Sequence, residues 1–454
     1  MPSPNAERGW IEARAYRRAN VAPAADTALP IIELDKVCMS YTKPSGIPLP
    51  ILADIDLKVR AGEIVGLLGR SGSGKSTLLR IAAGLIKPSS GRVIYRGEPL
   101  RGPTQGISVV FQTFALYPWL TVIDNVELGL DALRVSTEEA RKRATSAIEM
   151  IGLDGFQSAL PRELSGGMKQ RVGFARALVS EPTLLLMDEP FSALDVLTAE
   201  TLRTDFLDLW VGRQLTIKAV LMVTHNIEEA VMMCDRILVL GASPAHIVTS
   251  VSVPLPHPRD RVDPAFRAIV GEIYAVLTAR LVDAMDTSSA NHGGLALCLP
   301  DVSSHRLDGF MDKIAAASSA GYVDLAMIAA SLMEKVDDLL PIAGAAHILE
   351  FAELRNGSMR LTAAGRVFAQ AGDDGRKRLF REHLVQFVPL IAHIREVLDE
   401  RGDHQAPRER FELELQDHLN QHDADRTLRT AIDWGRYAGL FSYDDHTRRF
   451  AGGC

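Results

Sequence analysis

Eight residues, Gly69 to Ser76, have the spacing of a loop that binds phosphate groups. They match the pattern G-x-x-x-x-G-K-[ST], in which glycines let backbone N–H groups approach phosphate and the next helix adds positive potential. We expect Lys75 to reach the β and γ phosphates of ATP and Ser76 to hold Mg²⁺ through its hydroxyl. The loop residues predicted to bind ATP are Gly69, Ser71, Gly72, Ser73, Gly74, Lys75, Ser76 and Thr77.

Two carboxylates follow the apolar run Leu184–Met187. An apolar strand that ends in Asp188 and Glu189 resembles a Walker B strand, the usual companion of a phosphate loop. We expect Asp188 to bind magnesium directly or through water. Glu189 is predicted to orient and polarise the attacking water, so the two acids have different roles in hydrolysis.

These residues require a parallel sheet to bring them together. Apolar alternation begins near Ile31, and strand-like and helix-like segments then alternate as far as about Pro254, a pattern typical of an α/β domain with a largely parallel sheet. Largely continuous apolar runs predict strands that are buried on both faces. The predicted strands include Glu63–Leu68, Ser108–Phe111, Thr183–Met187 and Ala219–Val223.

The segment Leu164–Arg171, Leu-Ser-Gly-Gly-Met-Lys-Gln-Arg, resembles the signature motif of ABC ATPases. The resemblance implies a P-loop NTPase domain of α/β class with a helical subdomain. In that family the signature of one protomer closes over the ATP held by its partner, which implies a homodimer. The residues predicted to contact the partner's ATP are Ser165, Gly166, Gly167 and Gln170.

Further motifs of the same family appear in the expected order. The resemblance implies that Tyr41 stacks on adenine, and that Gln112 senses γ-phosphate and magnesium. It places Asp195 in the D-loop and makes His225 the switch histidine that contacts γ-phosphate. The predicted catalytic residues are therefore Glu189, His225 and Gln112, and the predicted magnesium ligands are Ser76, Gln112 and Asp188.

Two segments point to a subfamily. Phe114–Val126, with Pro118-Trp119 before Leu-Thr-Val, resembles ATPases that energise import of nitrate, sulfonate, taurine or bicarbonate. Tyr117 and Trp119 are predicted either to contact the membrane subunit or to belong to the core, and the sequence leaves both open. Arg360–Arg366 and the stretch from Asp433 to Asp444 resemble the AAA-associated C-terminal domain of such ATPases.

The predicted organisation is a disordered tail at 1–30, an ABC ATPase domain at 31–254, a helix and linker at 255–300, and a regulatory C-terminal domain at 301–454. This last domain is predicted to be mostly α. Predicted hairpins turn at Asn356-Gly357 and at Asp444-Asp445, each after helical sequence. The repeated order suggests winged-helix-like elements and an internal duplication. The predicted helices are Val323–Val336, Arg376–Asp399 and Arg408–Leu419.

The net charge, the cysteines and the lengths of the apolar runs restrict the kinds of partner that this chain can have. The 454 residues carry a formal charge of -7, so no general positive charge attracts nucleic acid. The four cysteines lie far apart and predict free thiols. No apolar run of about 20 residues predicts a membrane span. We therefore expect a peripheral protein on the cytoplasmic face of the cell membrane, bound to separate permease subunits and served by a solute-binding protein.

These features predict an ATP-hydrolysing subunit of an importer for a small anion. One alternative is an ABC ATPase fused to a nucleic-acid-binding or other regulatory module, because winged helices often bind DNA. From Asp301 onward, however, 19 Lys and Arg stand against 25 Asp and Glu, a balance of -6. The other alternative is an exporter ATPase. The solute itself is not encoded in this chain.

Overall fold

The computed structural model describes residues 29–42, 48–69, 72–241, 244–291, 297–317, 321–332, 336–355 and 357–452. The predicted tail at 1–30 lies outside these ranges except for its last two residues. The described chain divides into two compact units. The first contains the residues up to Thr224 together with Met232–Pro258, and the second contains His225–Val231 together with the residues from Arg259 onward. The predicted division at 254 and 301 stays a prediction.

The described residues of the first unit form ten strands in two sheets. A six-stranded sheet has the order β10-β9-β3-β8-β7-β6, and only β10 runs antiparallel to its neighbour, so the predicted parallel sheet is confirmed. The other sheet is antiparallel, with the order β2-β1-β4-β5. The strands are β1 (Ile32–Thr42), β2 (Pro48–Val59), β3 (Ile64–Leu68), β4 (Ser90–Tyr95), β5 (Glu98–Pro99), β6 (Ile107–Val110), β7 (Leu184–Asp188), β8 (Ala219–Thr224), β9 (Arg236–Leu240) and β10 (Ile247–Ser252).

The strands that carry the site lie at the centre of the parallel sheet. Every residue of β3, β7 and β8 is buried, which accounts for their continuous apolar sequence. Packing is tight enough that a Cβ atom added to Gly66 would lie 2.8 Å from Cys234 Sγ. Because parallel strands share one carboxyl edge, Gly69 after β3 and Asp188 at the end of β7 emerge on the same side.

Five α-helices of the described chain begin in the first unit, and several begin at a side-chain cap. Thr121, Ser165 and Asp195 each accept a hydrogen bond from a backbone N–H of the following turn. Helices α2, α3 and α4 pack together, as the predicted helical subdomain requires. These helices are α1 (Lys75–Ala82), α2 (Val122–Glu127), α3 (Thr137–Met150), α4 (Gly166–Leu178) and α5 (Val196–Val211), with 3₁₀ turns at Leu128–Leu133 and Pro161–Glu163. The next helix along the chain, α6 (Ile227–Met233), begins in the segment assigned to the second unit.

The second unit contains two repeats of one winged-helix order: helix, short strand, two helices and a hairpin. Their three-stranded sheets have the equivalent orders β11-β13-β12 and β14-β16-β15, so the structure confirms the predicted duplication. The first repeat is α8 (Ser304–Ala317), β11 (Val323–Asp324), α9 (Leu325–Leu332), α10 (Val336–Ile348), β12 (Ala352–Arg355) and β13 (Ser358–Leu361). The second is α13 (Pro389–Glu400), β14 (Gln405–Pro407), α14 (Arg408–Gln416), α15 (Gln421–Tyr437), β15 (Phe441–Asp444) and β16 (Arg449–Gly452). Three more helices are α7 (Pro264–Asn291), before the repeats, and α11 (Ala363–Gln370) and α12 (Asp373–Phe387), between them.

Several predicted boundaries in this unit are wrong. The helix predicted from Arg376 to Asp399 is two helices, because Pro389 lacks the N–H that a continuous helix needs and disfavours helical backbone at Val388. Val323 opens a strand rather than a helix, since it pairs with Met359. The sequence predicts that the helix after Asp263 ends near Met285 and that a linker begins at Asp286, whereas helix α7 continues to Asn291.

The two hairpins are present where the sequence predicts them. Arg355 pairs with Ser358, and the Asn356 half of the predicted turn lies outside the described residues. In the second hairpin, Asp444 still belongs to the strand and pairs with Arg449. Its carboxylate accepts hydrogen bonds from His446 N at 2.9 Å and Thr447 Oγ1 at 2.8 Å, which stabilise a longer turn than predicted.

The segment that enters the first repeat lies along α15 of the second. Leu299 N donates to Thr427 Oγ1 at 3.2 Å, Thr430 Oγ1 donates to Pro300 O at 2.9 Å, and Trp434 Nε1 donates to Val302 O at 2.8 Å. Helix α15 is therefore covered by this segment, which we name the entry segment (residues 298–304). None of the described helices combines the length and apolar character that crossing a membrane requires.

Candidate functional site

The phosphate loop joins β3 to α1. Gly72 and Gly74 have φ of 80° and 83°, in the left-handed region that glycine adopts without strain. Lys75 is only 4% exposed, and its ammonium donates to Gly69 O at 2.7 Å, so the side chain lies within the loop. Burial lowers the Lys75 pKa, and the charges of Glu189 and Asp188 oppose that shift. Ser71 lies outside the described residues.

The loop fits an oxyanion and a divalent cation. Ser73 Oγ is buried without a hydrogen-bond partner in the described structure, although a buried hydroxyl normally has one. Ser76 Oγ donates to Asp188 Oδ1 at 2.9 Å, which brings a hydroxyl and a carboxylate together. Oxygen ligands of this kind suit Mg²⁺. Burial raises the Asp188 pKa, and the Ser76 hydrogen bond opposes that rise.

Glu189 and Gln112 lie beside this pair. Glu189 has a φ of 45°, unusual for a residue with a side chain, and its N–H donates to Val223 O at 3.0 Å across the sheet. Gln112 Nε2 donates to Glu189 Oε2 at 3.3 Å and to Ser192 Oγ at 3.4 Å. The structure thus brings together Lys75, Ser76, Asp188, Glu189 and Gln112.

The signature segment forms the start of α4. The Ser165 hydroxyl accepts a hydrogen bond from Met168 N at 3.3 Å and leaves the N–H groups of Gly166 and Gly167 at the helix N-terminus. Asp195 caps α5 by accepting from Thr198 N at 3.0 Å. A Cβ atom on Gly167 would lie 2.2 Å from Thr198 Cγ2, so the two helix starts pack with no room for a side chain at this position.

Gln170 differs from the other predicted signature contacts. Its side chain is 1% exposed, and neither its amide nitrogen nor its amide oxygen has a hydrogen-bond partner in the described residues. An amide that its own chain covers offers no surface to an ATP held by a partner. The geometry therefore does not favour the predicted direct contact for Gln170.

Three further predicted residues keep their predicted roles as expectations. Tyr41 lies near the end of β1, where it pairs with Leu49 of β2. Its side chain is exposed, at 43%. Thr77 lies in the first turn of α1. His225 directly follows the last residue of β8.

Two residues that the sequence analysis missed organise the loop between Gln112 and α2. Asn125 is fully buried and makes four hydrogen bonds with this loop: Tyr117 N donates to its Oδ1, and its Nδ2 donates to the carbonyls of Tyr117, Leu120 and Thr121. From α4, Arg176 Nη1 donates to Ala115 O at 2.6 Å and Nη2 donates to Phe114 O at 3.1 Å. No local signal in the sequence distinguishes either residue from the other polar residues of its helix.

The same loop settles one open alternative. Tyr117 is 47% exposed and Trp119 is 70% exposed, with their ring centroids 5.2 Å apart. They are not core aromatics of the helical subdomain. Together they form an exposed apolar surface, which we name the aromatic pair.

Comparisons with known proteins agree with this geometry. The family model described as "ABC transporter" matches residues 52–192, and the model described as "C-terminal AAA-associated domain" matches residues 326–444. The nitrate import ATP-binding protein of Synechocystis sp. is 42% identical over 50% of this chain and 88% of its own length. The taurine import ATP-binding protein of Burkholderia pseudomallei is 46% identical over 48% of this chain and 82% of its own length. The aliphatic sulfonates import ATP-binding protein of Bacillus licheniformis is 42% identical over 48% of this chain and 84% of its own length.

Proposed function

The chain belongs to the family of ABC transporter ATP-binding proteins, and on that premise we propose that it hydrolyses ATP to energise import of a small anion through separate membrane subunits. The observation that carries the proposal is the meeting of Lys75, Ser76, Asp188 and Glu189 at one edge of the parallel sheet. The anion is proposed from the relatives, whose names specify import of nitrate, taurine and sulfonates.

The phosphate loop would bind and orient the triphosphate. The Lys75 ammonium lies where it can exchange its bond to Gly69 O for phosphate oxygens. The Ser76 hydroxyl and the Asp188 carboxylate would hold Mg²⁺, which when bound would offset the charge of the phosphates. Because Lys75 and Asp188 are both buried, they act where water screens their charges weakly.

Glu189 would orient the attacking water and accept its proton. Its positive φ and its backbone bond to Val223 fix the start of the turn that follows β7. Gln112, bonded to Glu189 and Ser192, joins this group to the loop of the aromatic pair. We place the catalytic roles on Glu189, Gln112 and His225, and adenine stacking on Tyr41.

The working form is proposed to be a homodimer, because one chain contains one phosphate loop and one signature. Ser165, Gly166 and Gly167 would contact the ATP of the partner through the N-terminus of α4. Asp195 lies beside Val196 and Leu197, which are 60% and 77% exposed. Exposed aliphatic side chains next to the D-loop support burial of this surface in the dimer.

The aromatic pair is the proposed contact with a permease at the cytoplasmic face of the membrane. Large aromatic side chains that are exposed on one subunit commonly act as anchors in an interface. Their loop follows Gln112 directly, so the contact lies next to a residue that touches Glu189. A solute-binding protein would supply selectivity.

The second unit is proposed to regulate the ATPase through protein contacts rather than nucleic acid. A winged helix that reads DNA presents its third helix to the major groove. In this structure the third helices, α10 and α15, are largely buried within the second unit. Their buried residues include Ala343, Ala345, Ala346, Leu428 and Trp434. The net charge of this region is also negative.

Affinity purification from gently solubilised membranes of the host tests the proposal. We expect a multi-spanning permease and a solute-binding protein to co-purify with the tagged chain, and ATP hydrolysis in the recovered complex to depend on Mg²⁺. Recovery of a permease without a solute-binding protein would favour an exporter. Recovery of nucleic acid and no membrane protein would overturn the transporter proposal.

A matched pair of variants tests the proposed contact. Trp119→Ala should lose the permease while ATP binding is retained, because the side chain is exposed and away from the phosphate loop. Met150→Ala, at a 42% exposed position of the same helical subdomain, is the control and should keep the permease. Equal recovery of the permease with both variants would contradict the assignment.

A further inference from the structure

The loop before the aromatic pair lies directly on the signature helix. A Cβ atom added to Gly166, a signature glycine, would meet the Phe114 ring at 4.0 Å, and one added to Gly173 would meet Phe114 O at 3.7 Å. These two glycines lie seven residues apart, so they occupy one face of α4. The absence of side chains at both positions lets the Phe114 segment rest against the helix backbone.

Arg176 fastens this segment to the same helix. Its guanidinium donates to Ala115 O at 2.6 Å and to Phe114 O at 3.1 Å, so two consecutive carbonyls share one side chain. Ala115 has a φ of 49°, a conformation that residues with a side chain rarely adopt. The two hydrogen bonds fix the direction in which the loop continues beyond its contact with α4.

Beyond Ala115 the loop is equally well fixed. Tyr117 N donates to Asn125 Oδ1 at 2.8 Å, and Asn125 Nδ2 donates to Tyr117 O at 3.2 Å. Tyr117 in turn contacts Trp119 through their rings. A continuous series of contacts therefore leads from the signature helix through Arg176 to the aromatic pair.

We propose that Arg176 is a positioning residue that makes the aromatic pair move with the signature helix. When α4 engages a nucleotide, the planar guanidinium carries the Phe114-Ala115 carbonyls with it, and the aromatic pair follows. The link lies within one chain. It rests on the proposed function for two points: the contact of the signature with the partner's ATP, and the identity of the protein that receives the movement.

The chemistry of arginine explains why this residue type is needed. A guanidinium offers several N–H donors in a fixed plane and can hold two adjacent acceptors at defined angles. A lysine ammonium is a compact charge on a flexible stem, so it retains charge but does not fix the two carbonyls together. Arg176→Lys therefore keeps the positive charge but removes the planar group that holds both carbonyls, so it distinguishes an effect of positioning from an effect of charge.

Fluorine NMR of the full chain tests the link without any membrane partner. The chain has 4 tryptophans, and 5-fluorotryptophan labelling would give each its own resonance, with Trp119 assigned by Trp119→Phe. In a Glu189→Gln background, which slows hydrolysis, addition of Mg-ATP should shift the Trp119 resonance. With Arg176→Lys we expect less than half of that shift at saturating ATP.

A matched control and a parallel variant make the result specific. Arg143→Lys changes an arginine of α3 that pairs with Glu139 at 2.6 Å, and it should retain the full Trp119 shift. Arg176→Gln, which donates through one amide, is measured in parallel so that the test does not depend on one variant folding. Far-UV circular dichroism and ATP titration confirm that each variant is folded and binds nucleotide.

Two outcomes would overturn the proposal. The first is a full Trp119 shift in folded, ATP-binding Arg176→Lys and Arg176→Gln. The second is the lack of any Trp119 shift when the Glu189→Gln chain binds ATP and sediments as a dimer. Co-purification of a permease is a separate measurement, so failure of the importer proposal is distinguishable from failure of this link.

Discussion

The hydroxyl of Ser76 and the carboxylate of Asp188 are joined by a 2.9 Å hydrogen bond between residues 112 positions apart in the chain. The bond connects the first turn of α1 to the end of β7. It satisfies one oxygen of a carboxylate that is 7% exposed, yet burial still raises the Asp188 pKa. A buried acid of this kind weakens the nucleotide-free protein, and cation binding is the role proposed for it.

Asp188→Asn should stabilise the nucleotide-free chain at neutral pH by about 1 kcal/mol, because it removes a buried charge while keeping a hydrogen-bond acceptor. The raised folded pKa means that native Asp188 contributes stability only while it is protonated, and this contribution is lost as pH rises through that pKa. The gain should therefore shrink as the pH is lowered. Thermal unfolding at several pH values measures it. The same variant should lose stabilisation by Mg-ATP, and retained stabilisation would contradict the magnesium role.

Glu189→Gln should retain ATP binding and slow hydrolysis by roughly 10²- to 10⁴-fold, because the amide does not accept the proton of water. ATP should then hold two chains together as a closed dimer, which sedimentation velocity would detect. Lys75→Ala is the matched control, since it should lose both nucleotide affinity and the ATP-dependent dimer. Hydrolysis at the wild-type rate by Glu189→Gln would remove this residue from the catalytic role.

Gly167→Ala should destabilise the first unit by about 1–3 kcal/mol through overpacking. The cause is the added methyl group, which would lie 2.2 Å from Thr198 Cγ2. Thr198→Ser removes that methyl and leaves the hydroxyl and the backbone N–H that Asp195 caps. The double variant should therefore regain most of the lost stability in chemical denaturation. An undiminished loss in the double variant would show that another contact excludes the side chain.

Gln170→Met should raise the stability of the chain by about 1 kcal/mol, because a buried amide without a protein partner is replaced by an apolar side chain of similar size. ATP-dependent dimerisation should persist, as expected of a residue that its own chain covers. Chemical denaturation and sedimentation with ATP in a Glu189→Gln background test the two parts. Loss of the dimer in a stable Gln170→Met chain would restore the predicted contact across the interface.

The phosphate loop, the acids after β7 and the parallel sheet could be predicted because each is a local pattern. Gly69 to Ser76 carry their chemistry at fixed spacing, and the apolar run Leu184–Met187 requires burial on both faces. The duplication in the C-terminal half could also be predicted, because each of the two predicted hairpins follows helical sequence. The pairing of strands in the two hairpins could be predicted from their turn residues, Asn356-Gly357 and Asp444-Asp445.

Contacts between distant residues could not be predicted in this way. Arg176 acquires its proposed role only when α4 lies beside the carbonyls of Phe114 and Ala115, which are 62 and 61 positions away. Burial of Gln170 likewise depends on neighbours that folding brings to α4. The break at Val388 is different, because Pro389 is present in the sequence and disfavours helical backbone at the residue before it.

The hydrogen bonds between the entry segment and α15 have a consequence for how the second unit is made. Trp434 donates a hydrogen bond to Val302 O across 132 residues of chain, so the beginning of the first repeat is held by α15, the last of the described helices. During synthesis the first winged-helix repeat can form its own hairpin, but its leading segment has no helix to lie on until α15 has been made. Closing so long a loop has an entropic cost that local contacts do not offset. We therefore expect the last step of folding to join both repeats cooperatively. Truncation before Gln421 should accordingly destabilise the beginning of the first repeat as well as the second repeat.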